Sequence, residues 1–175
     1  MIKNLIILSF IPVFSYSQIS YEDVMSINSV DIFKKVMIEN GYEFDSLDNS
    51  GGVTDGLLSY GYDMTEFSSG SSGSSRWMYY WTNDDRGFHL MFVMKNHVTG
   101  LDDPRLESNK NNYYTIVNDI KEKCKYYKII NDNELDNVTN GVDFVTYSCS
   151  ESLYKGKVGF VISEGIGHIK HFLID

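Results

Sequence analysis

Between residues 57 and 64 the chain alternates, with Leu58, Tyr60, Tyr62 and Met64 on one side and Ser59, Gly61 and Asp63 on the other. A period of two marks a β-strand with unlike faces. Just upstream the period changes: Ile32, Phe33, Val36 and Met37 form a helical stripe, Ser26, Asn28 and Ser29 offer N-cap oxygens ahead of it, and Asn40-Gly41 supplies a stop. Tyr42 to Phe44 begins a strand after that stop. Arg76 to Trp81 and Phe88 to Lys95 read as a hairpin joined by the polar turn 82–87.

The second half repeats this order. After a polar connector, 96–110, a helix is predicted from about Asn111 to Tyr126, with Ile116, Val117, Ile120 and Cys124 on one face. Strands follow at Tyr127 to Ile130, Val142 to Cys149, Lys157 to Ser163 and His168 to Ile174. Tyr42-Glu43-Phe44 and Tyr127-Lys128-Ile129 are spaced 85 positions apart, and Phe92 and Phe172 are spaced 80 apart. The expected fold class is α+β: an antiparallel sheet of about seven or eight strands with two helices on one face. Residues 18–175 form one domain on this reading, either unrepeated or built from two pseudo-repeats, 18–95 and 111–175. In element order alone, with no shared motif, the layout resembles exported inhibitors made of two helix-plus-sheet repeats, such as the β-lactamase-inhibitory protein.

Residues 1–17 break from this pattern. Lys3 precedes an apolar run, Leu5 to Phe14, and Ser15-Tyr16-Ser17 offers small residues where a signal peptidase cuts, leaving Gln18 as the new N-terminus. The run is too short for a membrane span, which needs roughly 20 apolar residues, and no second run of that length follows. A retained anchor is the competing reading. The expectation is an exported protein, periplasmic or extracellular, soluble after cleavage near Ser17/Gln18 and without an integral membrane segment in its mature chain.

Composition narrows the partners. The formal charge is −9, and no cluster of Lys and Arg offsets it. Nucleic acid and anionic lipid are excluded as expected partners, because both require a basic patch. Thirteen tyrosines and ten phenylalanines suit a pleated sheet. The two cysteines, Cys124 and Cys149, are expected to form a structural disulfide in an oxidising compartment. Cys124 lies on the apolar helix face, and Cys149 shares strand parity with Val145 and Tyr147, so both thiols point between helix and sheet.

Chemistry-bearing motifs are scarce. His168 and His171, three apart on a strand, point to opposite faces and do not chelate together, while His89 and His97 stand alone in sequence. Asp132, Glu134, Asp136, Asn140 and Asp143 suggest a calcium loop only faintly: Asn137 stands where that turn needs Gly, and Asp143 replaces the closing Glu. Asn137-Val138-Thr139 is a glycosylation sequon in form. The serine–glycine run 68–75 has no phosphate-binding lysine and reads as a loop. No cofactor, metal or catalytic set is expected.

The aromatic hairpin is the strongest candidate surface. Trp77, Tyr79 and Trp81 line one face of their strand, and Met78 and Tyr80 line the other. Helices cover only one face of such a sheet, so one row needs another cover or binds something. The leading expectation is a non-enzymatic, inhibitor-like binding module holding a protein or glycan outside the cytoplasm. The alternatives are a small hydrolase built on His89 or His168 beside an Asp or Glu, and a self-associating envelope component forming a homodimer through the same face.

Overall fold

The computed structural model describes residues 18–51, 55–66, 72–82, 87–95, 104–132, 141–154 and 156–172. The expected signal, 1–17, lies outside them, as do the connector 96–103, the loop 133–140 and His97.

Two short helices open the chain because serine caps are placed to start them. Ser20 and Asp23 form a reciprocal capping box for α1, Tyr21–Ser26, and the Ser29 hydroxyl accepts from the Ile32 N–H to start α2, Val30–Glu39. At its end Gly41, with φ +71°, turns the chain out of α2 into the first strand.

The strands then run β1 (Glu43–Leu47), β2 (Leu57–Tyr62), the two-residue β3 (Thr65–Glu66) and β4 (Ser72–Gly73), β5 (Arg76–Trp81) and β6 (Phe88–Val93). Helix α3 (Pro104–Lys123) intervenes before β7 (Lys125–Asp132), β8 (Val142–Ser148), β9 (Lys157–Ser163) and β10 (Ile166–Phe172). Eight of these form one antiparallel sheet in the order β1-β2-β5-β6-β10-β9-β8-β7, while β3 and β4 pair separately. Each half is a meander, and the halves meet through β6 and β10. The order of elements is therefore the same read inward from either edge.

One row of directly opposed residues crosses the whole sheet: Phe44, Tyr60, Met78, Leu90, Ile169, Phe160, Val145 and Ile129. All are apolar or aromatic, and their shared face carries the helices. Phe33 of α2 meets Tyr60 edge-on and lies 5.3 Å from the Tyr80 ring, and Tyr113 of α3 meets Phe92. The row is buried at its centre and exposed at its ends: Met78, Leu90 and Ile169 are fully buried, whereas Phe44 and Ile129 are each 57% exposed. Gly167 lets α3 approach, since a Cβ there would lie 2.7 Å from the Tyr113 ring.

Two features tie α3 down. Buried Asn109 donates through Nδ2 to the Ser75 and Val93 carbonyls, at 2.8 and 2.9 Å, and its Oδ1 accepts from Nε of the buried Arg76. The Arg76 guanidinium also donates to Ser108 Oγ at 3.0 Å and lies 4.7 Å from the Tyr62 ring centroid, a cation–π contact. At the other end of α3, Cys124 is disulfide-bonded to Cys149 just beyond β8, as the parity argument expected.

The structure also departs from the sequence pattern. Helix α3 starts at Pro104 rather than near Asn111, so half of the expected connector 96–110 is helix. Proline fits a first helical position because its fixed φ suits the helix and the N–H it lacks would have had no partner there. Strand β10 begins at Ile166 because Glu164 and Gly165, both at positive φ, make a two-residue hairpin turn, and Gly167 stays inside the strand. The serine-rich run 68–75 contributes β4, paired with β3. Phe92 and Phe172 are not equivalent: an even spacing of 80 fails across an antiparallel seam, and Phe92 faces α3 while Phe172 faces the opposite side with Phe144. The spacing of 85 fares better, for Phe44 and Ile129 end the same row.

Candidate functional site

The face away from the helices is where the sheet has side chains to offer. A second row crosses it from β2 to β7: Ser59, Tyr79, His89, Lys170, Gly159, Thr146 and Lys128. Beside it runs Gly61, Trp77, Met91, His168 and Val161. Alternation therefore settles the hairpin. Met78, fully buried, and Tyr80, packed on Phe33, lie under the helices, whereas Trp77 and Tyr79 point the other way.

Trp77 and Tyr79 are two residues apart on β5, so their rings lie side by side. The centroids are 6.1 Å apart and the planes differ by only 11°, and both side chains are half-buried. The side chain of Trp81 lies outside what is described; its backbone continues β5 opposite Leu57. Four of the expected surface residues thus divide between the faces, with Trp77 and Tyr79 on the helix-free side and Met78 and Tyr80 under the helices.

Next to this pair the face closes over itself. Gly159 has no side chain, and the space is filled by Phe172, Thr146 and Phe144, whose atoms would stand 2.8 to 3.2 Å from a Cβ. Phe144 and Phe172 meet edge to face at 5.1 Å. Beneath them His89 Nε2 and His168 Nδ1 are 3.0 Å apart in a hydrogen bond across the β6–β10 seam, and the Phe144 ring stands edge-on to both imidazoles. His89 and His168 are 2% and 7% exposed, and Lys170 beside them is 5% exposed, with its Nζ 5.3 Å from the Phe172 centroid.

Burial decides the charge of the pair. It pushes His89 well below the ordinary 6.5, assisted by the neighbouring His168 and Lys170, and pushes His168 down to about 4. Both rings are neutral at pH 7, one donating and the other accepting. Among the described residues neither ring meets a carboxylate. His171 points to the opposite face, as its spacing from His168 requires. It is held between Phe88 and Tyr154, its ring nitrogens are without a hydrogen-bond partner among the described residues, and burial lowers it to about 3.

The His89–His168 contact was hidden in the sequence because its members are 79 residues apart and meet only through the register of β6 on β10. Among the described residues no group of three or more His, Cys, Asp or Glu is placed to hold a metal ion, and no helix is long and apolar enough to cross a membrane. The fold and face define an α+β protein with an eight-stranded antiparallel sheet backed by helices on one side. No protein family, characterised protein or solved structure that was compared matches the chain.

Proposed function

We propose that this is an exported, non-enzymatic binding or inhibitor-like module that holds a protein or glycan on its helix-free face, with Trp77 and Tyr79 at the point of contact. The single observation that carries the reading is the parallel, half-buried pair of rings at the side of a face on which Phe144 and Phe172 close on one another. Large rings that keep solvent access on a sheet face are costly to leave wet and are the side chains that dominate binding contacts. The Cys124–Cys149 disulfide is compatible with an oxidising compartment, in keeping with cleavage near Ser17/Gln18 and work in the periplasm or outside the cell.

The test uses the mature chain as bait in the exported fraction of the source cell, alongside a Trp77→Ala/Tyr79→Ala variant and a Phe44→Lys variant altered at the sheet edge. Species held by the wild type and by Phe44→Lys, and lost from the double variant, are the expected result. Retention by all three, or loss from Phe44→Lys alone, refutes the assignment to this face. Titration of the fluorescence of the same proteins with oligosaccharides separates a glycan from a protein ligand.

A further inference from the structure

We propose that the buried guanidinium of Arg76 and the hydroxyl of Tyr42 together hold a small monovalent anion, a halide or a carboxylate, on the helix side of the sheet. Arg76 is 2% exposed and Tyr42 is 4% exposed. Both lean on one ring: the guanidinium lies 4.7 Å from the Tyr62 centroid, and the Tyr42 ring centroid lies 5.4 Å from it. Burial pushes the Tyr42 hydroxyl up, and the Arg76 charge draws it back, so the two groups also feel each other electrically. Tyr42 follows the Gly41 turn that ends α2, and Ser108 and Asn109, which fix the guanidinium, belong to the first half of α3. The corner lies on the opposite face from Trp77 and Tyr79 and is independent of the function proposed for them.

The choice of an anion rests on a count of donors. A guanidinium has five N–H donors and no acceptor. Here Nε donates to Asn109 and Nη2 to Ser108, while Nη1, with two N–H groups, is buried without a partner. The Tyr42 Oη is buried without a partner as well. No carboxylate among the described residues forms an ion pair with Arg76. Were Oη to accept from Nη1, the second Nη1 proton and the hydroxyl proton would still require an acceptor. A buried cation is costly unless it is both paired and hydrogen-bonded. An anion accepting from Nη1 and Oη meets both needs, whereas a neutral acceptor such as water meets only the second. A divalent oxyanion would bring in a charge that one guanidinium leaves uncancelled, so the site favours a single charge.

The experiment follows the thermal unfolding midpoint of the mature chain at constant ionic strength, as sodium chloride or sodium formate replaces the salt of a bulky organic sulfonate. A midpoint that rises with chloride or formate is expected, since a ligand held only by the folded state stabilises it. The stronger of the two salts tells whether the site prefers a halide or a carboxylate. Tyr42→Phe keeps the ring against Tyr62 and removes only the hydroxyl. It is expected to raise the anion concentration needed for half the effect about tenfold. Arg76→Met is expected to abolish the dependence; should it fail to fold, Tyr42→Phe and crystallography give the answer instead. In crystals grown from sodium bromide, anomalous scattering is expected to place bromide between Arg76 Nη1 and Tyr42 Oη. A midpoint indifferent to both anions, a dependence identical in wild type and Tyr42→Phe, or ordered water at that position in place of bromide would overturn the proposal.

Discussion

Leu90 and Ile169 stand directly opposite each other where β6 meets β10, both fully buried, and the sheet extends four strands to either side of that contact. Their pairing lies at the seam where the two meanders join. Ile169→Ala is expected to cost about 2–5 kcal/mol, the range for a large apolar side chain removed from a filled core. The Leu90→Ala/Ile169→Ala double variant is expected to depart from the sum of its singles, because the two share one space. Denaturant unfolding of the four proteins measures both.

The disulfide sets a second expectation. Cys124 and Cys149 are 25 residues apart, and closing a loop of that size is worth roughly 3 kcal/mol in the chain-entropy model. The unfolding midpoint should therefore fall on adding reductant, and the Cys124→Ala/Cys149→Ala variant should show the same lower midpoint with or without it.

Acid is expected to unfold the protein through its buried imidazoles. His168 and His171 are lowered from 6.5 to about 4 and about 3, and His89 is lowered too, all chiefly by burial. A base with a depressed folded pKa takes up its proton more readily in the unfolded chain. Stability is thus complete above pH 6.5 and is lost as pH falls toward 4 and 3, by on the order of 3 kcal/mol for His168 and about 5 kcal/mol for His171. Denaturation midpoints measured from pH 8 to pH 3 give the slope. His171→Phe should flatten it, since an apolar ring between Phe88 and Tyr154 removes two unpartnered nitrogens.

Asn109 supplies a fourth test. Its three hydrogen bonds join α3 to the ends of β5 and β6 and steady the Arg76 guanidinium. Asn109→Leu strands two carbonyls and part of a buried cation, at an expected cost of about 2–4 kcal/mol. Thermal unfolding checks it, with exposed Lys110→Ala as a control expected to change little.

Local pattern carried much of this fold. The stripe from Ile32 to Met37 and the alternation at Leu58 to Tyr62 hold because each depends on periodicity within one element, and the Cys124–Cys149 bond forms although Cys149 lies just beyond β8. Pattern had less purchase where several features compete. Helix α1 is only six residues and is specified by its Ser20–Asp23 capping box, and the start of α3 is marked by Pro104 inside a polar stretch. Both hairpin rows are apolar, so the sequence alone could not say that Met78 faces the helices and Trp77 does not. The His89–His168 bond and the closure of Phe144 and Phe172 over Gly159 depend on strand register, which is fixed between distant residues.

The position of β10 between β6 and β9 bears on how such a chain comes to be made. A polypeptide elongated or threaded from its N-terminal side has β6 long before β10, as the separation of 79 positions from His89 to His168 attests. During that interval the strand destined for the middle of the sheet is a raw edge, with Phe88, Leu90 and Phe92 awaiting the neighbour that will complete their enclosure. The central seam can close only once β10 has emerged, when all the other strands of the sheet are already present.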